Sequence, residues 1–272
     1  MKKNSFNHIK VVLIVSVIVS GGSLTGSAGN PDTSDIYPIL EGHISVIEEV
    51  LDHLKNGNRD QAKAMFTQME ESLEILATWS RHRQNIARAI TVRTASDEEP
   101  NLAASEFQQA TQPASSARLE LPMNWLAYTE GTMPSETLTG KTEELLDSHK
   151  QLISTGRQLR QHQENVELPL MGGIYGPDQI TSSNGTSIEA EFMLENYGND
   201  RFHSLNIWVE SARGNEPPPL EISPDNVSSL DPGNVIQFTI SGQAGQLDDE
   251  MFYLTVEGDQ YREQKLIRIN PE

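Results

Sequence analysis

The apolar residues of this chain change period once, and the change falls in the stretch ELPLMGGIYGPDQ, residues 167–179. Upstream they recur at threes and fours, which paints one stripe along a helix. Downstream they alternate, which gives a strand one apolar face. A repeat of 3.6 and a repeat of 2 cannot share an element. The chain must therefore be a helical half followed by a β half, with Pro169, Gly172, Gly173, Gly176 and Pro177 closing one and opening the other. A length of 272 residues agrees, since it allows roughly two domains of about 150 residues.

In the helical half, Ile36, Leu40, Ile44, Ile47, Leu51 and Leu54 form a first stripe. KNGNRD interrupts it, with Gly57 as the stop and Asn58 as the next N-cap. Ala62, Met65, Phe66, Met69, Leu73 and Leu76 form a second stripe, running on to about Thr91. Two stripes and a short turn predict an antiparallel hairpin. Residues 93–134 carry little periodic hydrophobicity and much Ala, Ser, Gln and Pro. That texture predicts a low-complexity connection with one short helix near 101–111, from which MNWLAYTEG docks on the bundle. A third helix is predicted over 135–166, with Ser135 or Thr137 as N-cap. Its seam of Leu145, His149, Leu152, Gly156, Leu159, Gln163 and Val166 is interrupted by polar and small residues. Such a seam suits one face of a bundle better than a free coiled coil.

In the β half, Ile188, Ala190, Phe192 and Leu194 alternate, as do Leu205, Ile207 and Val209. So do Ile236, Phe238 and Ile240, then Phe252, Leu254 and Val256, with KLIRI last. Six or seven short alternating strands predict an antiparallel β-sandwich. The fold class expected is α+β multidomain. Its parts are a helical hairpin or bundle at 34–166 and an immunoglobulin-like sandwich at 167–272.

EAEFMLENYGNDRFHSLNIWVES also resembles the opening of small immunoglobulin-like modules of bacterial and archaeal secreted proteins, of the CARDB and NPCBM-associated types. The matching residues are Asn196, Gly198 and Asn199, followed by Leu205, Ile207 and Val209. Leu230, Pro232 and Gly233 resemble the family's later turn into a strand, and EMFYLTVEGD its penultimate strand. The resemblance covers about 180–270. It implies a spacer, adhesion or assembly unit without an active site.

The first 28 residues read as a Sec-type signal peptide. Lys2, Lys3 and Lys10 are its positive region, IKVVLIVSVIVS its apolar run, and Gly26 and Ala28 its cleavage site. The alternative is an uncleaved anchor. With no cysteine in the chain, a lipid anchor, disulfides and thiolate metal sites are excluded. No second apolar run follows, so no membrane span is expected in the mature chain. Loss of residues 1–28 removes three lysines and no acid, leaving 17 basic and 39 acidic residues, a net charge of −22. That charge repels nucleic acid and anionic membranes. It fits a chain kept in high salt or an ordinary acidic exported protein, and unfolding across a salt series separates the two.

Asn196, Asn199 and Asp200 offer oxygen to Ca²⁺, but the spacing and distal Glu of a cation loop are missing. Asx residues beside Gly198 make a turn by themselves. Asp248, Asp249 and Glu250 form a second acidic run, read as a solvated loop. His43, His53, His82, His149 and His162 fall on predicted helices without metal-ligand spacing, and are read as polar-edge residues. No nucleophile elbow, P-loop or dinucleotide fingerprint occurs, and Gly172–Gly173 is read as a domain junction. No catalytic residue, metal or cofactor is assigned. Asn184 and Asn226 head glycosylation sequons. Trp208 points away from Ile207 and Val209, which makes it a contact for the helices, a protein partner or a carbohydrate. The whole reads as an exported, non-enzymatic interaction or structural protein of the cell envelope with a protein partner at the surface. The alternative is an extracytoplasmic ligand-binding or sensor bundle with the sandwich as spacer.

Overall fold

The computed structural model describes residues 33–94, 98–181, 187–213, 218–243, 247 and 251–270. The signal segment, Asn184 and the run Asp248 to Glu250 lie outside them. Among the described residues, four helices fill most of the N-terminal half: α1 (Ile36–Lys55), α2 (Arg59–Arg93), α3 (Glu98–Thr129) and α4 (Ser135–Gln163). Each packs on its neighbours in chain order, and α1 closes the ring on α4. The connections are short, as an up-and-down bundle requires. Gly57 takes φ 71°, the left-handed stop expected between α1 and α2. Asn58 stands at the N-cap but makes no side-chain cap bond, and α4 starts after Pro134, with Ser135 already helical.

The largest departure from the sequence expectation is α3. Residues 93–134 are not a loose connection but mostly a 32-residue helix. Its buried side is Ala103, Ala104, Phe107, Ala110, Ala114, Leu121, Trp125 and Tyr128, a stripe at helical spacing. Half of that stripe is alanine, which contributes little to any hydropathy pattern while favouring helix strongly. Pro113 and Pro122 lie inside the helix and each removes a backbone donor. Packing against α4 and α2 overrides that local cost.

The seam predicted for α4 is buried throughout, and each interruption has a partner. A Cβ on Gly156 would lie 2.4 Å from the Trp79 ring, so only glycine lets the indole sit there. The Gln163 amide donates to the Tyr197 carbonyl at 2.7 Å. Trp79 is the centre of the bundle, edge-on to Tyr37 and Phe107 with ring centroids 6.2 and 6.0 Å away.

Among the described residues, ten strands follow or flank the helices: β1 (Thr33–Asp35), β2 (Gly172–Tyr175), β3 (Gln179–Thr181), β4 (Ser187–Asn196), β5 (Phe202–Ser211), β6 (Leu220–Ser223), β7 (Asn226–Leu230), β8 (Asn234–Gln243), β9 (Met251–Glu257) and β10 (Arg262–Asn270). They form two five-stranded sheets. In one the order is β1-β8-β4-β2, with β6 also on β8; in the other it is β3-β10-β9-β5-β7. All pairs are antiparallel except β3 with β10. The alternating residues read from the sequence meet between the sheets in one core, Phe192 stacked on Phe238 among them.

The two halves are not separate bodies joined at residue 166. Thr33–Asp35, upstream of all the helices, pair with β8. Asp35 then caps α1, its carboxylate accepting from the Tyr37 amide at 3.0 Å. Tyr175, Met193, Tyr197 and Val235, on or beside the outer face of the first sheet, belong to the same apolar core as the helices. Strand β4 records this directly. Glu189 and Glu191 are exposed on its outer face, whereas from Phe192 onward both faces are buried, because there the bundle covers the sheet.

Under that cover lies a buried ion pair. Arg83 of α2 donates through Nη2 to Glu195 of β4, and both side chains are completely buried. The Tyr175 hydroxyl donates to the other carboxylate oxygen. The guanidinium also lies 5.8 Å from the Trp79 ring centroid, which compensates it on a second side. Gly173 stands opposite Glu195 in register, and His82 packs so close to it that a Cβ there would be 2.0 Å from the imidazole. The domain junction read at Gly172–Gly173 is a strand segment over which the bundle closes. Glu195→Ala should cost about 3–5 kcal/mol by leaving Arg83 charged and unpaired. The double change Arg83→Met with Glu195→Met should regain most of that loss in urea unfolding. A Glu195→Ala protein as stable as the parent would refute the pairing.

Candidate functional site

The corner after β4 is a turn whose polar atoms are already used. The Asn196 amide donates to the carbonyls of Asp200 and Leu230 at 2.8 and 2.9 Å, and its oxygen accepts from Gly198 N at 3.1 Å. The Asn199 amide donates to the carbonyls of Gln163 and Val166, and its oxygen accepts from Gln163 at 3.2 Å. Asn199 thus ties off the C-terminal end of α4, where helix carbonyls lack partners. Asp200 contributes only its backbone carbonyl to this set. The side chains of Asn196 and Asn199, which looked like cation ligands, bind the chain itself, and the reach of Asn199 into α4 was not visible in sequence.

The histidines divide. His53 and His162 are partly exposed, and His43 shares a 3.2 Å contact with Ser72. His149 departs from the polar-edge expectation, because its helix turns it inward to 2% exposure, while His82 is partly exposed but packs its ring against the first sheet. His82 stacks on Tyr197 and meets Tyr175 edge-on, ring centroids 5.2 and 5.0 Å away. Burial, reinforced by Arg83, Arg81 and Lys265, holds its imidazole down to about pH 3. Burial alone holds His43 down to about pH 4. Burial pushes Glu195 up against the pull of Arg83 and the Tyr175 hydroxyl. For Arg83, burial is the largest influence and opposes the charge, but Glu195 together with Tyr37, Tyr175 and Tyr197 outweighs it and pushes the guanidinium's pKa up. Among the described residues no three His, Asp or Glu side chains are placed to hold a metal.

Among the described residues, exposed apolar side chains share a face at two places. On α3, Leu119, Met123 and Leu126 are 69, 68 and 48% exposed, at spacings of four and three that put them on one face. That face lies opposite the buried Leu121, Trp125 and Tyr128. On the second sheet, Tyr253 is flanked across the strands by Leu266 and Glu210, and Met251 is exposed beside it on β9. Trp208 stands on the same outer face, partly exposed and opposite Thr255. The helices cover the first sheet, so among the three contacts read for Trp208 the bundle is not the one made. Asn226 is exposed, with its amide 2.7 Å from the Asp225 carboxylate. The α3 stripe was missed in sequence because the segment had not been recognised as helix. No described helix is long and apolar enough to cross a membrane.

No family model matches the chain. No curated protein matches it either. Among solved structures, the E. coli chaperone DraB aligns with a TM-score of 0.30 and 14% identity over 37% of this chain and 53% of its own. The periplasmic chaperone SfaE gives 0.29 and 15% over 36% and 54%. The Amycolatopsis orientalis exo-chitosanase CsxA gives 0.28 and 18% over 36% and 11%. This chain thus spans at most 54% of those chains, and likenesses at that level transfer neither architecture nor activity.

Two outcomes follow from these environments. Asn196→Ala should lose about 1–3 kcal/mol by orphaning buried backbone groups, while added Ca²⁺ should leave the unfolding midpoint of the parent unchanged. A Ca²⁺-dependent rise in that midpoint would restore the cation reading. His82 and His43 take up protons more readily unfolded than folded. Their contribution is therefore whole above about pH 6.5 and is lost as pH falls toward 3–4, with a limiting slope of about 1.4 kcal/mol per pH unit for each. Urea unfolding between pH 6.5 and 4 should show that fall, and His82→Gln should make it shallower.

Proposed function

We propose that this protein is an exported, non-enzymatic interaction or structural protein of the cell envelope, and that it works by protein–protein contact. The observation that carries this reading is the exposed stripe Leu119, Met123 and Leu126 on α3. Fully burying a side chain of this size is worth about 1.5–3 kcal/mol, so three left in water on one face favour a covered state. Anchors at such spacing suit a helix or groove on the partner. The outer face of the second sheet, with Trp208, Tyr253 and Leu266, is a further contact surface. The sandwich as an immunoglobulin-like assembly module agrees with the resemblance at Asn196–Val209 and Leu230–Gly233. A charge of −19 on the whole chain steers it toward cationic protein surfaces and away from nucleic acid.

A photo-crosslinking residue at Met123, introduced into the full chain in its own cells, tests the proposal. The expected result is a discrete protein adduct, absent when the probe stands at the exposed Gln151 of α4 and lost with Leu119→Ser and Leu126→Ser. Equal adducts from both positions, or none from Met123, would reject it.

A further inference from the structure

A cavity of about 200 Å³ lies among α2, α3 and α4. It opens to solvent beside the exposed Arg81 and Ser115 and reaches inward to buried polar groups. His149 lines it and is 2% exposed. Its Nδ1 lies 2.9 Å from the Leu145 carbonyl, which can only accept, so Nδ1 carries the ring proton. Nε2 is then a bare acceptor, and no described residue donates to it. Burial holds the imidazole below its usual range and so keeps it neutral. Ser80, 5% exposed, also lines the cavity, and its hydroxyl has no partner. Arg81 and Arg118 complete the polar wall, while Leu76 and Leu152 provide an apolar one.

The two arginines already hold a carboxylate. Arg118 Nη1 lies 2.9 Å from Glu74 Oε2, and Arg81 Nη2 lies 3.6 Å from Glu74 Oε1. Two guanidinium groups against one carboxylate leave a local positive charge in a chain of net −19. A guanidinium has five N–H donors in a plane, enough to take a second carboxylate beside Glu74. A neutral imidazole nitrogen requires the opposite, a ligand that donates. The volume is below that of sites for larger organic ligands, about 300–1,000 Å³, and equals roughly six or seven waters at about 30 Å³ each.

We propose that this cavity is a binding site for a short hydroxycarboxylate. The carboxylate lies against Arg118 and Arg81, the hydroxyl donates to His149 Nε2, and the hydrocarbon faces Leu76 and Leu152. Ser80 supplies an additional hydroxyl at the polar wall. The site goes beyond the partner contact above and shares no residue with the α3 stripe.

The test uses the full chain and L-lactate as probe. Propionate lacks the hydroxyl and propane-1,2-diol lacks the carboxylate. Calorimetry should give saturable lactate binding, weakened at least tenfold for each analogue. Imidazole ¹⁵N spectra should show the Nε2 signal of His149 moving with lactate. Ser115→Trp fills the mouth of the cavity from an exposed position, and Arg118→Gln removes one anion contact. Both should lose lactate binding while the crosslink from Met123 persists. Absence of lactate binding, equal binding of propionate, an unmoved His149 signal, or binding retained in both variants would each overturn the proposal.

Discussion

The buried pair of Arg83 and Glu195 is the constraint on which the joining of helices to sheet depends. Neither group can be taken from water alone, since the cost of desolvating an unpaired charge is several kcal/mol. Each is supplied by a different half of the chain, 112 residues apart. Neither half can therefore complete its own interior without the other. The neighbours follow from this. Gly173 lacks a side chain because His82 occupies that space, and Tyr175 turns its hydroxyl to the free carboxylate oxygen. Strand β4 loses its exposed face at the point where the pair begins. The bundle does not merely precede the sheets; it replaces solvent over one end of them.

Much of the framework was legible because it rests on local periodicity. The stripes of α1 and α2, the stop at Gly57 and the alternation in β4, β5, β8 and β9 are all side-chain patterns within single elements. The α4 seam was legible too, although the reasons for its interruptions were not. Gly156 answers to Trp79 on α2, and Gln163 to the turn after β4. Helix α3 escaped for a different reason. Alanine carries little hydropathy contrast, so a stripe half built from it is faint until neighbouring helices close on it. Two prolines added a local signal pointing the wrong way, and packing outweighed it.

The candidate residues show the same division. Asn196 and Asn199 were rightly suspected of serving a turn, but Asn199 also ties the end of α4 to it. Among the histidines, residue type and spacing said nothing about which would be buried. His149 is buried by the rotation of its helix in the bundle, a quantity with no local signature. The contact surfaces divide likewise. Trp208 could be assigned an outward face from alternation alone, whereas which sheet the helices covered depended on the assembled fold.

By itself the sequence determined the class of α1, α2, α4, β4, β5, β8 and β9, the point at which helix gives way to strand, the absence of thiol chemistry and the strongly acidic composition. All of these follow from composition or from the spacing of residues within one element, where geometry is dictated by a helical or pleated backbone. Only the tertiary structure decided that residues 33–35 complete a sheet ahead of the helices and that α3 is a full member of the bundle. It alone placed a charged pair and a neutral histidine in the interior. Those outcomes depend on which surfaces face each other across long sequence separations, and on the removal of water that burial brings.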